Sequence, residues 1–246
     1  MKSLSGKYIS ILGASTSTFD GYSNGALYNT TITKNVPYYP KPEWLNDSSD
    51  TWWMRTIQTL DMRLCVNNSW SGSCVTTMVD GDEKAGCMKR ATELHNDTLD
   101  IEPDIIVLII GGNDALRGYE VGTYNGVGDI YDCDKQTYIG DCAMFGQAYA
   151  TMVHKVKNRY PSTDVYVCSM LHWNPKKHSK GLLQYNEMIQ KIAKEFQVVY
   201  VDFYNQTKIS PETENEYLHS DGIHPNKYGF EQMAGCFVEI LKSKYT

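Results

Sequence analysis

The chain has no long apolar run. Its longest, Ile105–Ile110, is strand-sized, whereas a spanning helix requires roughly 18 apolar residues, so no membrane span is expected. Positive charge is not in excess either: 23 Lys+Arg stand against 29 Asp+Glu, a net charge of −6, and the pI is near 5.5. Nucleic acids and anionic membranes are captured by basic faces, so neither is an expected partner. The seven cysteines are odd in number and include no C-x-x-C pair, which indicates neither a complete disulfide framework nor a zinc ribbon. Cys133 and Cys142 bracket one polar loop and are the better candidates for a bridge, Cys74 and Cys87 the weaker; Cys168 and Cys236 read as buried thiols. This usage favours a reducing, cytoplasmic compartment. The segment Met1 to Ser15 reads as a buried strand and not a signal peptide, while a leader removed ahead of it would mean secretion.

What is present is an ordinary globular composition, 246 residues with 41% hydrophobic and 21% charged, enough to bury a sizeable core in one domain spanning 1–246. Five β-rich runs, Tyr8–Leu12, Cys65–Ser69, Ile105–Ile110, Asp164–Ser169 and Val198–Asp202, alternate with helical patterns. Ile105–Ile110 is apolar at every position, as in a strand covered on both faces. Apolar stripes at helical spacing run through Trp53–Leu64, Phe145–Val156 (closed by Pro161), Leu182–Phe196 and Phe230–Leu241, with a shorter one around Met88, Ala91 and Leu94. Such alternation predicts right-handed βαβ units, hence an α/β fold on a five-stranded parallel sheet. Residues 19–50 and 115–143 have no period, and loops of that length in a compact domain are usually functional rims.

In an open parallel sheet, ligands sit beyond the carboxyl ends of the strands. After the first strand comes Gly13-Ala14-Ser15, after the second Ser71-Gly72, after the third Gly111-Gly112-Asn113-Asp114, and beyond the fifth Asp221-Gly222-Ile223-His224-Pro225. Each fragment alone has an ordinary meaning: Ser15 a helix cap, Gly72 a turn, Asn113-Asp114 an Asx turn, Asp221 and His224 a surface coincidence. A Gly-x-Ser loop could also cradle a phosphate, but the spacing and lysine of a P-loop are missing. These separate readings do not explain why all four fall on one sheet edge. Acyl transfer requires such a set: a hydroxyl, a base, an acid that orients the base, and donors for an oxyanion.

With these residues in place, the chain resembles the SGNH hydrolases, also called GDSL esterases, whose four blocks match Gly13-Ala14-Ser15, Gly72, Gly111-Gly112-Asn113-Asp114 and Asp221-Gly222-Ile223-His224-Pro225. The resemblance runs from Tyr8 to about Leu241. It implies a three-layer α/β/α sandwich of flavodoxin-like type. It further implies Ser15 as nucleophile, His224 as general base, Asp221 as its orienting acid, and an oxyanion hole from the Ser15 and Gly72 N–H groups and the Asn113 amide. Neither metal nor organic cofactor is required. One departure is Ala14, where the family's first block usually has Asp, a residue that would buttress the loop. Ser17 is the rival nucleophile.

The ester is less legible. Tyr22, Tyr28, Tyr38, Tyr39, Trp44, Tyr119, Tyr124 and Tyr131 fall in the two unpatterned rims, and flat amphipathic rings suit a sugar as well as they suit loop packing. Trp70, His172 and Trp173 are candidate substrate contacts beside the site, and His219 a candidate for its entrance. Neither long loop is apolar enough for a lipase lid. A small-molecule or carbohydrate ester is therefore the expected partner, with O-acetyl groups on a sugar the favoured case. The alternatives are a lysophospholipase or thioesterase, a catalytically silent carbohydrate-binding module, and a flavodoxin-like redox protein. His95, His154, His178 and His219 have no metal-ligand spacing, and Lys176–Lys180 reads as a solvated loop.

Overall fold

The computed structural model describes residues 3–22, 44–78, 84–140, 142–174 and 181–245. Strands β1 (Tyr8–Gly13), β2 (Arg63–Ser69), β3 (Ile105–Ile109), β6 (Asp164–Cys168) and β7 (Val199–Val201) form one sheet in the order β2-β1-β3-β6-β7. Every pairing in it is parallel. This is the doubly wound order in which the connection from β1 turns one way and that from β2 the other, leaving a crevice at the carboxyl ends of β1 and β3. A hairpin of β4 (Tyr131–Asp132) and β5 (Thr137–Tyr138) lies outside that sheet.

Helices cover both faces. On one side α1 (Trp52–Thr59) and α5 (Lys227–Tyr245) pack against Ile9, Ile11, Ile105, Val107 and Tyr166. On the other, α3 (Phe145–Arg159) and α4 (Leu183–Phe196) pack against Leu12, Ile106, Leu108, Val165 and Val167. Successive residues of β3 thus feed opposite cores, as a period of two requires. The unbroken apolar run at 105–110 is explained by burial on both faces. Between β3 and α3 lies one further short helix, α2 (Gly112–Arg117). No helix among the described residues is long and apolar enough to cross a membrane.

All five expected strands are present, shifted at their ends by up to two residues. The stripe around Met88, Ala91 and Leu94 is only a 3-10 turn, Lys89–Thr92. Trp52 and Trp53 are both fully buried. The cysteine pairing is corrected. All seven thiols are free, with Cys133 exposed and Cys142 buried. The Cys142 thiol is a side-chain partner of Cys87, while Cys74 Sγ lies 2.7 Å from Arg117 Nη1. Cys168 is buried, but Cys236 is only half-buried, near Gln206 Oε1.

Candidate active site

Each strand end at the crevice delivers one part of the site. β1 runs into a 3-10 turn, Ser15–Ser17, that leaves Ser15 at the sheet edge, with Ala14 extended just before it. β2 runs into Trp70–Ser73, where Gly72 holds a left-handed φ of +78° that a side chain would strain. β3 stops at Gly111, φ +124°, where an added Cβ would meet the Phe145 ring at 2.9 Å; only glycine turns the chain there into α2. That helix carries Asn113 and Asp114. Beyond β7, the turn at Gly222 folds His224 back over Ser15.

The resulting geometry is closed. Ser15 Oγ lies 2.7 Å from His224 Nε2, and His224 Nδ1 lies 2.6 Å from Asp221 Oδ2. The other carboxylate oxygen of Asp221 accepts the backbone N–H groups of Ile223 at 2.9 Å and His224 at 3.0 Å. An imidazole so held carries its proton on Nδ1 and offers a lone pair at Nε2 to the serine hydroxyl, the arrangement that lets an alcohol oxygen attack a carbonyl. Burial alone would raise the Asp221 pKa, but the His224 side chain and the two backbone N–H groups outweigh it and hold the carboxyl at about 2.

That shift fixes the sign of a pH effect. The folded pKa is depressed below the ordinary value of 3.8, so the stabilisation is present above about pH 4 and is lost as pH falls through 2. It amounts to about 2 kcal/mol. Urea unfolding of the wild type and Asp221→Asn should therefore differ by about that much at pH 5 and converge toward pH 2. A gap that stays constant over this range would contradict the ionised, hydrogen-bonded carboxylate.

Three N–H donors on these strand-end segments have a hydrogen to spare among the described residues. The Ser15 and Gly72 amides bond to no other group among the described residues. Asn113 spends one amide hydrogen on Ser73 O at 2.9 Å and keeps the other. The segment bearing Gly72 is clamped from α2. Asp114, fully buried, accepts from Val75 N (2.9 Å), Thr76 N (3.0 Å) and Thr76 Oγ1 (2.9 Å), and Arg117 donates to Gly72 O at 3.0 Å. Burial dominates the Asp114 carboxyl and raises its pKa despite these donors.

Beside Ser15 the crevice deepens into a cavity of about 80 Å³. It is lined on its apolar side by Ile109, Ile110, Leu116, Met170, Trp173 and Ile223, and Asn113 and His224 reach it too. Of the three expected substrate contacts only Trp173 lines it; its ring sits over Gly112. Trp70 is instead buried, with its indole N–H on Asn68 Oδ1 and its ring near the Lys84 and Arg90 cations. His172 stacks on Tyr204 at 3.6 Å between ring centres. Aromatic identity near a strand end does not determine which way a ring turns.

The rims divide similarly. Trp44 stacks on His219 at 4.4 Å, with its ring centre 6.3 Å from that of His224, so the stacked pair lies beside that imidazole. Tyr22 packs on Trp53, Tyr124 is fully buried against Glu195, and Tyr131 packs on Tyr138 and His154. Tyr28, Tyr38, Tyr39, His178 and Lys176–Lys180 lie outside the described residues. Ser17 is fully buried, and its Oγ accepts the Trp52 indole N–H at 3.1 Å; no imidazole among the described residues serves it. Arg117 and Arg90 are supporting residues with no signal in the sequence, whereas Asp114 stands in the Gly111-Gly112-Asn113-Asp114 block.

A curated relative, a multidomain esterase of Ruminococcus flavefaciens, is 25% identical over 143 residues, 57% of this chain and only 16% of the relative's length. Among solved structures, a Bacteroides ovatus chain assigned as a GDSL-like lipase superposes with a TM-score of 0.69 at 24% identity, covering 97% of this chain and 99% of that one. The family 3 carbohydrate esterase of Clostridium thermocellum superposes with a TM-score of 0.58 at 14% identity, covering 98% and 99%; at such identities the likeness is one of fold. The sequence matches the GDSL-like lipase/acylhydrolase family over residues 7–239, and with that match over nearly its whole length the chain belongs to this family.

Proposed function

We propose that the protein hydrolyses short-chain carboxylic esters, O-acetyl groups on a carbohydrate in particular, through an acyl-serine intermediate. The observation that carries the reaction is the run of contacts from Ser15 Oγ to His224 Nε2 at 2.7 Å and from His224 Nδ1 to Asp221 Oδ2 at 2.6 Å. The short acyl chain is argued from Trp173, whose ring forms part of the wall of the cavity beside Ser15. Ser15 would attack the ester carbonyl as His224 takes its proton; the oxyanion would be met by the Ser15 and Gly72 amides and Asn113. Protonated His224 would then pass its proton to the departing alcohol. In the second half, His224 would activate a water against the acyl-serine, and acetate would leave.

The alcohol side supports a sugar. Trp44 and His219 form a stacked pair beside His224, and a flat indole offers a ring face to a pyranose. The carbohydrate esterase activity named for the Clostridium thermocellum neighbour is consistent with that choice. A lysophospholipase or thioesterase would require room for a long acyl chain, and Trp173 fills part of the wall of the cavity beside Ser15. A silent binding module would have no use for the proton path Ser15–His224–Asp221.

Two measurements test the reading. Acetate release from acetylated xylan and chitooligosaccharides should be detectable, and p-nitrophenyl acetate should be turned over at least about a hundredfold faster than the octanoate. Trp173→Ala should move the preferred chain from two carbons toward four to six, changing the ratio of butyrate to acetate kcat/KM by roughly tenfold or more. A wild type that prefers octanoate, or a Trp173→Ala profile identical to wild type, would remove the short-acyl assignment.

A further inference from the structure

The oxyanion donors come from three separate stretches of chain, and a hole for a developing charge works only if they are held in register before the substrate arrives. The family's usual loop-bracing carboxylate is absent here, because residue 14 is alanine. It lies in the apolar core cluster, and its side chain has nothing to donate or accept. Something else must brace this loop.

The geometry points to Arg90 as the positioning residue of the oxyanion hole. Its side chain is 1% exposed, an unusual place for a cation. Nη2 donates to Gly13 O at 2.7 Å and to Asn68 O at 2.6 Å. Nη1 donates to Ser73 Oγ at 2.9 Å and to Lys84 O at 2.6 Å. Gly13 ends β1 two residues before Ser15; Asn68 lies at the end of β2 ahead of Gly72. Ser73 follows Gly72, and its carbonyl is the acceptor that orients Asn113. One planar guanidinium therefore ties the Ser15 segment to the Gly72 segment and reaches the Asn113 segment through Ser73, and the Trp70 N–H to Gly13 O bond at 3.1 Å closes the same ring of contacts.

The fork shape matters. Guanidinium presents its donors at fixed angles in one plane, whereas a lysine ammonium is a point with freely rotating hydrogens. A lysine in place of Arg90 could satisfy one or two of the carbonyls but not set the spacing between the β1 and β2 loops. Arg90 touches no reacting atom; it acts through the loops, so its loss should weaken transition-state stabilisation more than substrate binding.

This inference rests on the proposed ester hydrolysis, and the test separates the two. Wild type, Arg90→Lys, Asn113→Ala and the double variant are compared on p-nitrophenyl acetate, with a fluorophosphonate used to count labelled serines per chain. Arg90→Lys should lower kcat by roughly 10- to 100-fold while KM changes less than about threefold, and labelling should still reach one per chain, more slowly. The double variant should lose little beyond Asn113→Ala alone, because both changes damage the same hole. Losses that multiply, or a kcat deficit matched by unlabelled chains, would reduce Arg90 to a structural residue and overturn the proposal. If Arg90→Lys fails to fold, Ser73→Ala removes one strut of the same network; it should lower kcat severalfold, non-additively with Asn113→Ala, and an unchanged or additive result overturns the proposal equally. A wild type that neither turns over the ester nor takes the label would instead remove the enzymatic reading beneath it.

Discussion

Ser15→Ala should lower kcat for p-nitrophenyl acetate by roughly 10⁵- to 10⁶-fold, the scale on which hydrolases that use an activated serine depend on it, while Ser17→Ala keeps most of the activity. The two hydroxyls are two residues apart, and a motif cannot choose between them by chemistry alone. Their surroundings can. Ser15 Oγ is 2.7 Å from an imidazole nitrogen whose other nitrogen is tied to a carboxylate, so its proton has somewhere to go as the C–O bond forms. Ser17 Oγ faces an indole N–H, which only donates and cannot take a proton. Removing the Ser17 oxygen leaves that buried N–H without its acceptor, at a cost of about 1–3 kcal/mol. Steady-state kinetics and thermal unfolding on both variants check this: activity without stability should fall in one, stability without activity in the other. The reverse pattern would exchange the nucleophile.

Asp221→Asn should reduce kcat at neutral pH by about 10⁴-fold in a protein that remains folded. The reason lies in the carboxylate's second oxygen. Oδ1 accepts from the N–H groups of Ile223 and His224, so an asparagine must turn its carbonyl oxygen toward them to avoid leaving two donors unmet. Its NH₂ group is then directed at His224 Nδ1. An amide NH₂ is a donor, so Nδ1 can only meet it by giving up its proton, and the neutral ring must carry that proton on Nε2. Nε2 would then face Ser15 Oγ with a hydrogen instead of a lone pair. The base is disabled by tautomer, with its position unchanged. The activity lost should partly return at alkaline pH, where hydroxide can take the serine proton. A loss of less than about tenfold would mean that Asp221 does not set the tautomer.

Much of this was readable before any coordinates. β3 announced itself because a strand covered on both faces must be apolar at consecutive positions, and Ile105 to Leu108 are fully buried. The helices α3 and α4 were legible because a stripe at helical spacing is what one covered face demands. What escaped were elements too short to show a period: α2, the hairpin β4–β5 and the single turns Phe203–Gln206 and Glu214–Tyr217. The cysteine pairing escaped for another reason. Separation along the chain suggested Cys133 with Cys142, but Cys142 turns inward toward Cys87; sequence distance carries little information about which way a loop folds.

The succession of strands along the chain, their burial and the four segments at their carboxyl ends were determined by the sequence itself, because each depends on local periodicity and on chemistry carried within a few residues. The tertiary structure alone decided that Ser17 turns inward to Trp52, that Trp173 lines the cavity beside Ser15 while Trp70 and His172 turn away, and that Arg90 reaches the Gly13 and Asn68 carbonyls. Those outcomes depend on the directions of side chains brought together from distant parts of the chain. A direction in space is set by packing, which no single stretch of residues encodes.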